Sequence, residues 1–303
     1  MIRTVTSAAA SAAALSLCLA APVAAQQDFS DVEIRTEQIA PGIAVLFGRG
    51  GNIAVSYGED GTVMIDDQYA PLSDRIMAAV ADLGASPVAY LINTHWHFDH
   101  AGGNENFGEA GALIFAHENV RARMASGGTI FGNEIPPAAP VALPVVSYGQ
   151  GVTLNRNGNT IDVMFTGGGH TDGDSIVRWR EDNVVHMGDL FFNTGGFPFI
   201  DTSSGGNVLH ALSSIDAALR MMDGETVVIP GHGPVSDKLG LSAYRARLGA
   251  MVDRVKALKE DGLSLDQAVA AKPLADYVGE GGGFINQDQF TTFVWTSLEA
   301  HGD

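Results

Sequence analysis

The chain has 303 residues, enough for one large domain or two small ones, and 46% of them are hydrophobic, enough for a substantial core. Its 17 Lys and Arg stand against 35 Asp and Glu, a formal net charge of −18. A charge of that sign repels phosphate backbones and excludes nucleic acid as an expected partner; the acidic residues are dispersed, as in a solvated coat.

The first 25 residues read as a signal peptide. Arg3 is followed by an Ala/Leu-rich run too short and too rich in alanine for a membrane span, and then by Val23-Ala24-Ala25. A cut before Gln26 leaves residues 26–303 as a single domain, in a periplasmic or secreted setting and off the membrane. Cys18, the sole cysteine, falls in the leader, where bulky Leu17 argues against a lipid anchor. The mature chain then has no disulfide, no thiolate ligand and no cysteine nucleophile.

After the leader, strand-like runs at Val32–Ile39, Ile43–Phe47, Ile53–Tyr57 and Thr62–Ile65 are separated by Pro-Gly, Gly-Gly and Asp-Gly signals. A helical pattern covers Leu72–Leu83. Pro87–Ile92 is a further apolar strand that runs directly into "NTHWHFDHAGGN", Asn93–Asn104. A short helix at Asn104–Phe107, a strand at Ala112–Phe115 and a helix at Glu118–Met124 come next. Ser126–Gln150, with Pro136-Pro137, Pro140 and Pro144 around apolar Phe131 and Ile135, is a long irregular insert, either a flap over a site or a surface connection.

Strands return at Val152–Leu154, Ile161–Phe165, Ser175–Trp179 and Val184–Met187. Helix Val208–Met222, strand Val227–Ile229 and helices at Tyr244–Leu258, Asp266–Ala271 and Gln287–Ala300 complete the chain. The order "strands, helix, strand ending in a histidine loop" occurs twice, which points to two sheet-plus-helix halves sharing one core.

The loop at Asn93–Asn104 concentrates His95, His97, Asp99 and His100. In an extended segment alternate side chains share a face, so His95, His97 and Asp99 point one way and His100 turns to the other as the loop bends. Imidazole nitrogens and a carboxylate are zinc donors, and Gly102 and Gly103 permit a tight turn behind them. Three more ligand-type residues stand in glycine-rich turns after apolar strands: His170 in "FTGGGHTDGD", Asp189 in "VVHMGDL" and His232 in "VVIPGHGP". The other histidines read as structural: His186 alternates with apolar residues in a strand, His117 starts a helix, His210 lies on a helix and His301 is terminal. Tyr148, Phe131 and Phe197 are either pocket walls or ordinary packing.

The ordered set His-x-His-x-Asp-His, His, Asp, Pro-Gly-His, spanning about Ile43–Val235, resembles the metallo-β-lactamase superfamily. The resemblance implies an α/β fold, a four-layer αββα sandwich, with metals at one edge of the two sheets. It implies two Zn2+ per chain: His95, His97 and His170 on the first, Asp99, His100 and His232 on the second, and Asp189 bridging. Asp66, in "VMIDD", matches an aspartate that supports the ligand loop from behind; Asp67 is a weaker candidate.

The activity that the resemblance implies is zinc-dependent hydrolysis of a small-molecule substrate. A hydroxide held on the metals attacks a carbonyl, and Asp99 orients it or relays a proton. Export and the form of the loop favour β-lactamase-type activity; lactones, thioesters or other esters are the alternative, and iron redox chemistry a third reading. One departure bears on substrate. The cysteine-containing zinc β-lactamases carry a lysine three residues after the cysteine that ligates the second zinc. Here that cysteine's position is Asp189, and the residue three further on is Phe192. The stretch Phe191–Asn207 is apolar enough for a hydrophobic substrate flank, with Asn193 and Ser203 as candidate hydrogen-bond donors.

Overall fold

The apolar runs of the first half become one seven-stranded sheet in the computed structural model, which describes residues 28–277 and 283–301. The expected leader, its cleavage point and Cys18 lie outside the described residues. Arg35–Ala40, Ile43–Phe47, Ile53–Gly58 and Gly61–Ile65 form an antiparallel meander. Val88–Ile92, Leu113–His117 and Val146–Tyr148 then add in parallel. Parallel neighbours require crossovers, and helices Ser73–Asp82, Asn104–Glu109 and Glu118–Ser126 lie in those connections.

The second sheet has six strands. Gly151–Arg156, Asn159–Phe165, Ser175–Trp179 and Val184–His186 are antiparallel, Val227–Ile229 adds in parallel, and Ser236–Asp237 closes the far edge.

Strand alternation divides the core into layers. Ile43, Val45, Val63, Ile65 and Ile92 of the first sheet meet Ile161, Val163, Val177, Trp179 and Ile229 of the second. The opposite face of the second sheet, with Ile176, Val185 and Val228, is covered by Val208, Ile215, Leu248, Val252 and Val294 of helices Val208–Leu219, Lys238–Glu260 and Gln287–His301. On the first sheet the opposite set Leu46, Val55, Met64, Leu91 and Ile114 is fully buried, together with Ile76 and Val80 of the first helix. The order is helix, sheet, sheet, helix, an αββα sandwich. Among the described residues no helix is long and apolar enough to cross a membrane.

The insert is more ordered than its Pro and Gly content suggests. It holds a two-stranded hairpin, Gly128–Ile130 with Asn133–Ile135, and its last part, Val146–Tyr148, is the edge strand of the first sheet. Ile130 packs against Trp96, Val120 and Met124, which anchors the hairpin base. Tyr148 points into the inter-sheet core, its hydroxyl 3.0 Å from Ser175 Oγ, and Phe197 is buried against Phe290. Both are packing residues.

Candidate metal centre

Every candidate ligand comes after the end of a strand on one rim of the sandwich. Ile92 ends its strand just before Asn93, Phe165 precedes the turn to His170, His186 precedes Asp189, and Ile229 precedes His232. The loops are tied together across the two sheets: the Asn52 N–H donates to the Gly231 carbonyl at 2.7 Å, and the Ser175 N–H to the Thr94 carbonyl at 2.9 Å. His186 belongs to this frame. It is fully buried, its Nε2 donates to the Asn52 carbonyl at 3.0 Å, and its Nδ1 accepts from the Gly188 N–H at 3.1 Å.

The structure brings the seven candidates into three overlapping groups: His95, His97 and His170; His95, His100 and Asp189; Asp99, His100 and His232. Asp99 sits with His100 rather than beside His95 and His97, against the simple alternation. The reason is local: Phe98–Ala101 coils into a short helix, so the two-residue period ends at His97. Asp189 lies between the two ends. Its Oδ2 is 3.4 Å from His170 Nε2 and 3.9 Å from His95 Nε2, while its Oδ1 is 3.1 Å from His100 Nε2 and 3.4 Å from His232 Nε2.

Hydrogen bonds behind the rings decide which nitrogen of each faces inward. Thr94 Oγ1 donates to Asp66 Oδ2, so at 3.0 Å it accepts from His95 Nδ1, leaving His95 Nε2 bare. His97 Nε2 donates to Asp201 Oδ2 at 2.9 Å, leaving Nδ1 bare. His100 Nδ1 donates to Asp66 Oδ2 at 2.7 Å, and His170 Nδ1 to the Phe199 carbonyl at 2.8 Å, leaving Nε2 of each bare. With the rings neutral, as metal ligation requires, four lone pairs converge. His97 Nδ1 and His170 Nε2 stand 2.9 Å apart, His100 Nε2 and His232 Nε2 3.2 Å apart, and buried His95 Nε2 and Asp189 Oδ1 have no hydrogen-bond partner.

The electrostatics agree with a cation between them. Burial drives His95 well below the usual imidazole value and His170 down to about 4, so protons do not relieve the lone-pair repulsion at that end. At the other end burial opposes charge, but the surrounding carboxylates, Asp189 first, win: His100 is pushed well up and His232 to about 9. Burial also works against the Asp189 carboxylate, yet facing His100, His232 and His170 hold it well below the usual range. Two carboxylates and five imidazoles without a thiolate are a donor set for zinc or a similar borderline metal.

Asp66 sits where the resemblance implies, fully buried, accepting from the Thr94 N–H, the Thr94 hydroxyl and His100. Asp67 accepts from the Gly103 N–H at 2.8 Å and shapes the turn behind the loop. Asp201 is not legible in the sequence. It is 2% exposed, accepts from His97, from the N–H and hydroxyl groups of Ser203 and Ser204, and so orients His97 from behind. Asp201 also caps the short turn Thr202–Ser204. Asn193 donates to the Pro234 carbonyl and Ser203 to the Thr129 carbonyl, so both have structural partners. His210 is exposed on its helix and His117 caps one, as expected. Phe192 stacks on His232 at 5.4 Å between ring centroids.

Fold and site together define a metallo-hydrolase. Residues 46–232 match the metallo-beta-lactamase superfamily, and the chain belongs to it. Among its relatives, "Probable metallo-hydrolase YqgX" of Bacillus subtilis is 30% identical over 171 residues, covering 54% of this chain and 77% of that protein. A hydroxyacylglutathione hydrolase of Polaromonas sp. is 27% identical over 199 residues, 65% of this chain and 67% of the other. A metallo-beta-lactamase type 2 of Bacillus cereus is 26% identical over 181 residues, 59% and 65%. The solved metallo-beta-lactamase from Pontibacter korlensis has the same fold, with a TM-score of 0.62 at 20% identity, covering 72% of this chain and 99% of that one.

Proposed function

We propose that the protein is an exported dinuclear zinc hydrolase with β-lactamase-type activity, cleaving a carbonyl–nitrogen bond in a small substrate. The observation that carries the dinuclear reading is Asp189, whose two oxygens face two different histidine groups. His95, His97 and His170 would hold one ion and Asp99, His100 and His232 the other, with Asp189 between them. When bound, zinc supplies a water acidic enough to ionise near neutral pH and polarises a substrate carbonyl.

The chain's own groups do the rest. Asp201 and Asp66 accept the outward N–H of His97 and His100 and so fix which nitrogen of each ring faces inward. Asp99, held at about 2 by His100 and His232 against its burial, stays ionised and is available to orient a nucleophile or carry its proton. Arg49 offers the cation that Phe192 does not. It is exposed on the loop whose Gly51 N–H donates to the Asp99 carbonyl at 2.9 Å, and its field opposes the rise that burial, Asp99 and Asp189 impose on the Tyr69 hydroxyl. A substrate carboxylate held there would lie on the His100–His232 side.

A second reading, hydrolysis of thioesters, lactones or other esters, is favoured by Phe192 over His232 and by the hydroxyacylglutathione hydrolase relative. One panel separates the two: a chromogenic cephalosporin and neutral thioesters, tested on the 26–303 chain with zinc, with chelator and as His97→Ala. Zinc-dependent opening of the cephalosporin, lost in both controls, supports the first reading. Thioester cleavage without it supports the second, and turnover of neither in a folded zinc-loaded sample refutes the first reading and the thioester form of the second.

A further inference from the structure

The proline-rich insert encloses a cavity that is no part of the metal centre. Pro136, Ala138 and Ala139 share it with Trp96, Phe98 and Glu105; its volume is about 170 Å³, and none of the seven candidate ligands lines it. Trp96 and Phe98 are the residues between His95, His97 and Asp99, so the ligand loop gives its histidines to one site and its aromatic rings to another. Trp96 is 4% exposed and held through its Nε1, which donates to Ser204 Oγ at 3.0 Å, whereas Phe98 is 41% exposed.

The lining selects an occupant. Most of the wall is apolar, so a water inside would lack the polar partners that hold buried water. A dry apolar cavity of about 150 Å³ takes a benzene ring, so this one admits a body of about that size. The exception in the wall is Glu105, which is exposed and has no ion-pair partner among the described residues. A carboxylate, a tryptophan and a phenylalanine around one cavity are the groups that attract an ammonium, by opposite charge and by the negative faces of the rings. Trp96 already draws one cation: the Arg123 guanidinium carbon lies 6.0 Å from its ring centroid, and the Arg123 charge is met by two 2.7 Å bonds to Asp172. Glu105 is left uncompensated, in a chain of net charge −18 that repels anions and draws cations.

We propose that this cavity binds a small organic cation, a primary or quaternary ammonium with a short apolar body. The charged head would lie by Glu105 and the body against Phe98 and Ala139. The site stands apart from the hydrolase reading and does not depend on it. Glu105 has a competing role, because it lies in the first turn of helix Asn104–Glu109, where the helix dipole favours a carboxylate. The two roles predict different results when its charge is removed.

Choline and 3,3-dimethylbutan-1-ol share one shape and differ in charge, and neither displaces a metal ligand as a free amine would. Their binding to the zinc-loaded protein is measured by calorimetry. The wild type should prefer choline by about tenfold in Kd; a preference below about threefold, or no choline binding at all, overturns the proposal. Glu105→Gln should reduce the preference to about twofold or less. If Glu105 serves only its helix, that variant lowers the unfolding midpoint and keeps the preference, which overturns the proposal. Phe98→Leu keeps the apolar bulk and removes the ring face; it should weaken choline by about two- to fivefold and leave the alcohol unchanged. An equal loss for both ligands would mark Phe98 as apolar packing and overturn its part in cation recognition. Ala139→Phe fills the cavity and should abolish binding of both; choline binding retained in that variant places it elsewhere on the acidic surface and overturns the site.

Discussion

Asp201→Asn removes a buried charge that lies behind His97, and its effect can be worked out from geometry. In the wild type the carboxylate accepts from His97 Nε2 at 2.9 Å and from Ser203 and Ser204. Burial opposes its ionisation, but His97, Ser203 and Ser204 hold it well below the usual carboxylate range. The folded value is depressed, so its contribution to stability is present above the ordinary value near 3.9 and is lost as pH falls below it. The Asn amide keeps the shape and a weaker acceptor but no longer forces the proton onto Nε2. Loss of such a partner lowers metal affinity by about 10- to 100-fold, or about 1.4–2.7 kcal/mol. Competition of the zinc-loaded protein with a chelating dye measures it. One of the two zinc affinities should fall by that factor while the other changes little. Equal affinities in Asp201→Asn and wild type would refute the argument that this carboxylate sets the His97 tautomer.

The same site yields further expected outcomes. Gly51→Ala should cost most of the metal binding and lower the unfolding midpoint, because a Cβ there would lie 2.1 Å from the His100 ring, which Asp66 prevents from moving; circular dichroism melts and metal analysis read both. Arg49→Ala should raise KM for carboxylate-bearing β-lactams by about tenfold, the value of a charge-assisted hydrogen bond, and leave neutral thioesters unaffected. Asp189→Ala should reduce bound zinc from two ions to one or fewer by atomic emission; two tightly bound ions would remove its bridging role.

The parts of this architecture that are legible in the sequence share a physical cause. Ser175–Trp179 and Val227–Ile229 have the same bounds in sequence and structure because apolar alternation and turn residues mark such strands sharply. The His95–His100 cluster stands out because no packing requirement concentrates so many imidazoles. His170, Asp189 and His232 are legible only through their order and their places after strands.

The sequence hides the contacts that only folding brings together. Asp201 reaches His97 across 104 positions, and nothing near it in the chain marks that contact. Val146–Tyr148 is three residues within a proline-rich insert, a strand only because Leu113–His117 offers an edge. The helix at Phe98–Ala101, which moves Asp99 to the other half of the centre, has no period long enough to read.

The most direct test of the centre is the metal content and position in the 26–303 chain after zinc reconstitution, read from anomalous scattering at the zinc edge. The account predicts two peaks: one among His95, His97 and His170, the other among Asp99, His100 and His232, with Asp189 touching both. A single ion at full zinc load, or zinc bound away from the four bare imidazole nitrogens, would contradict it.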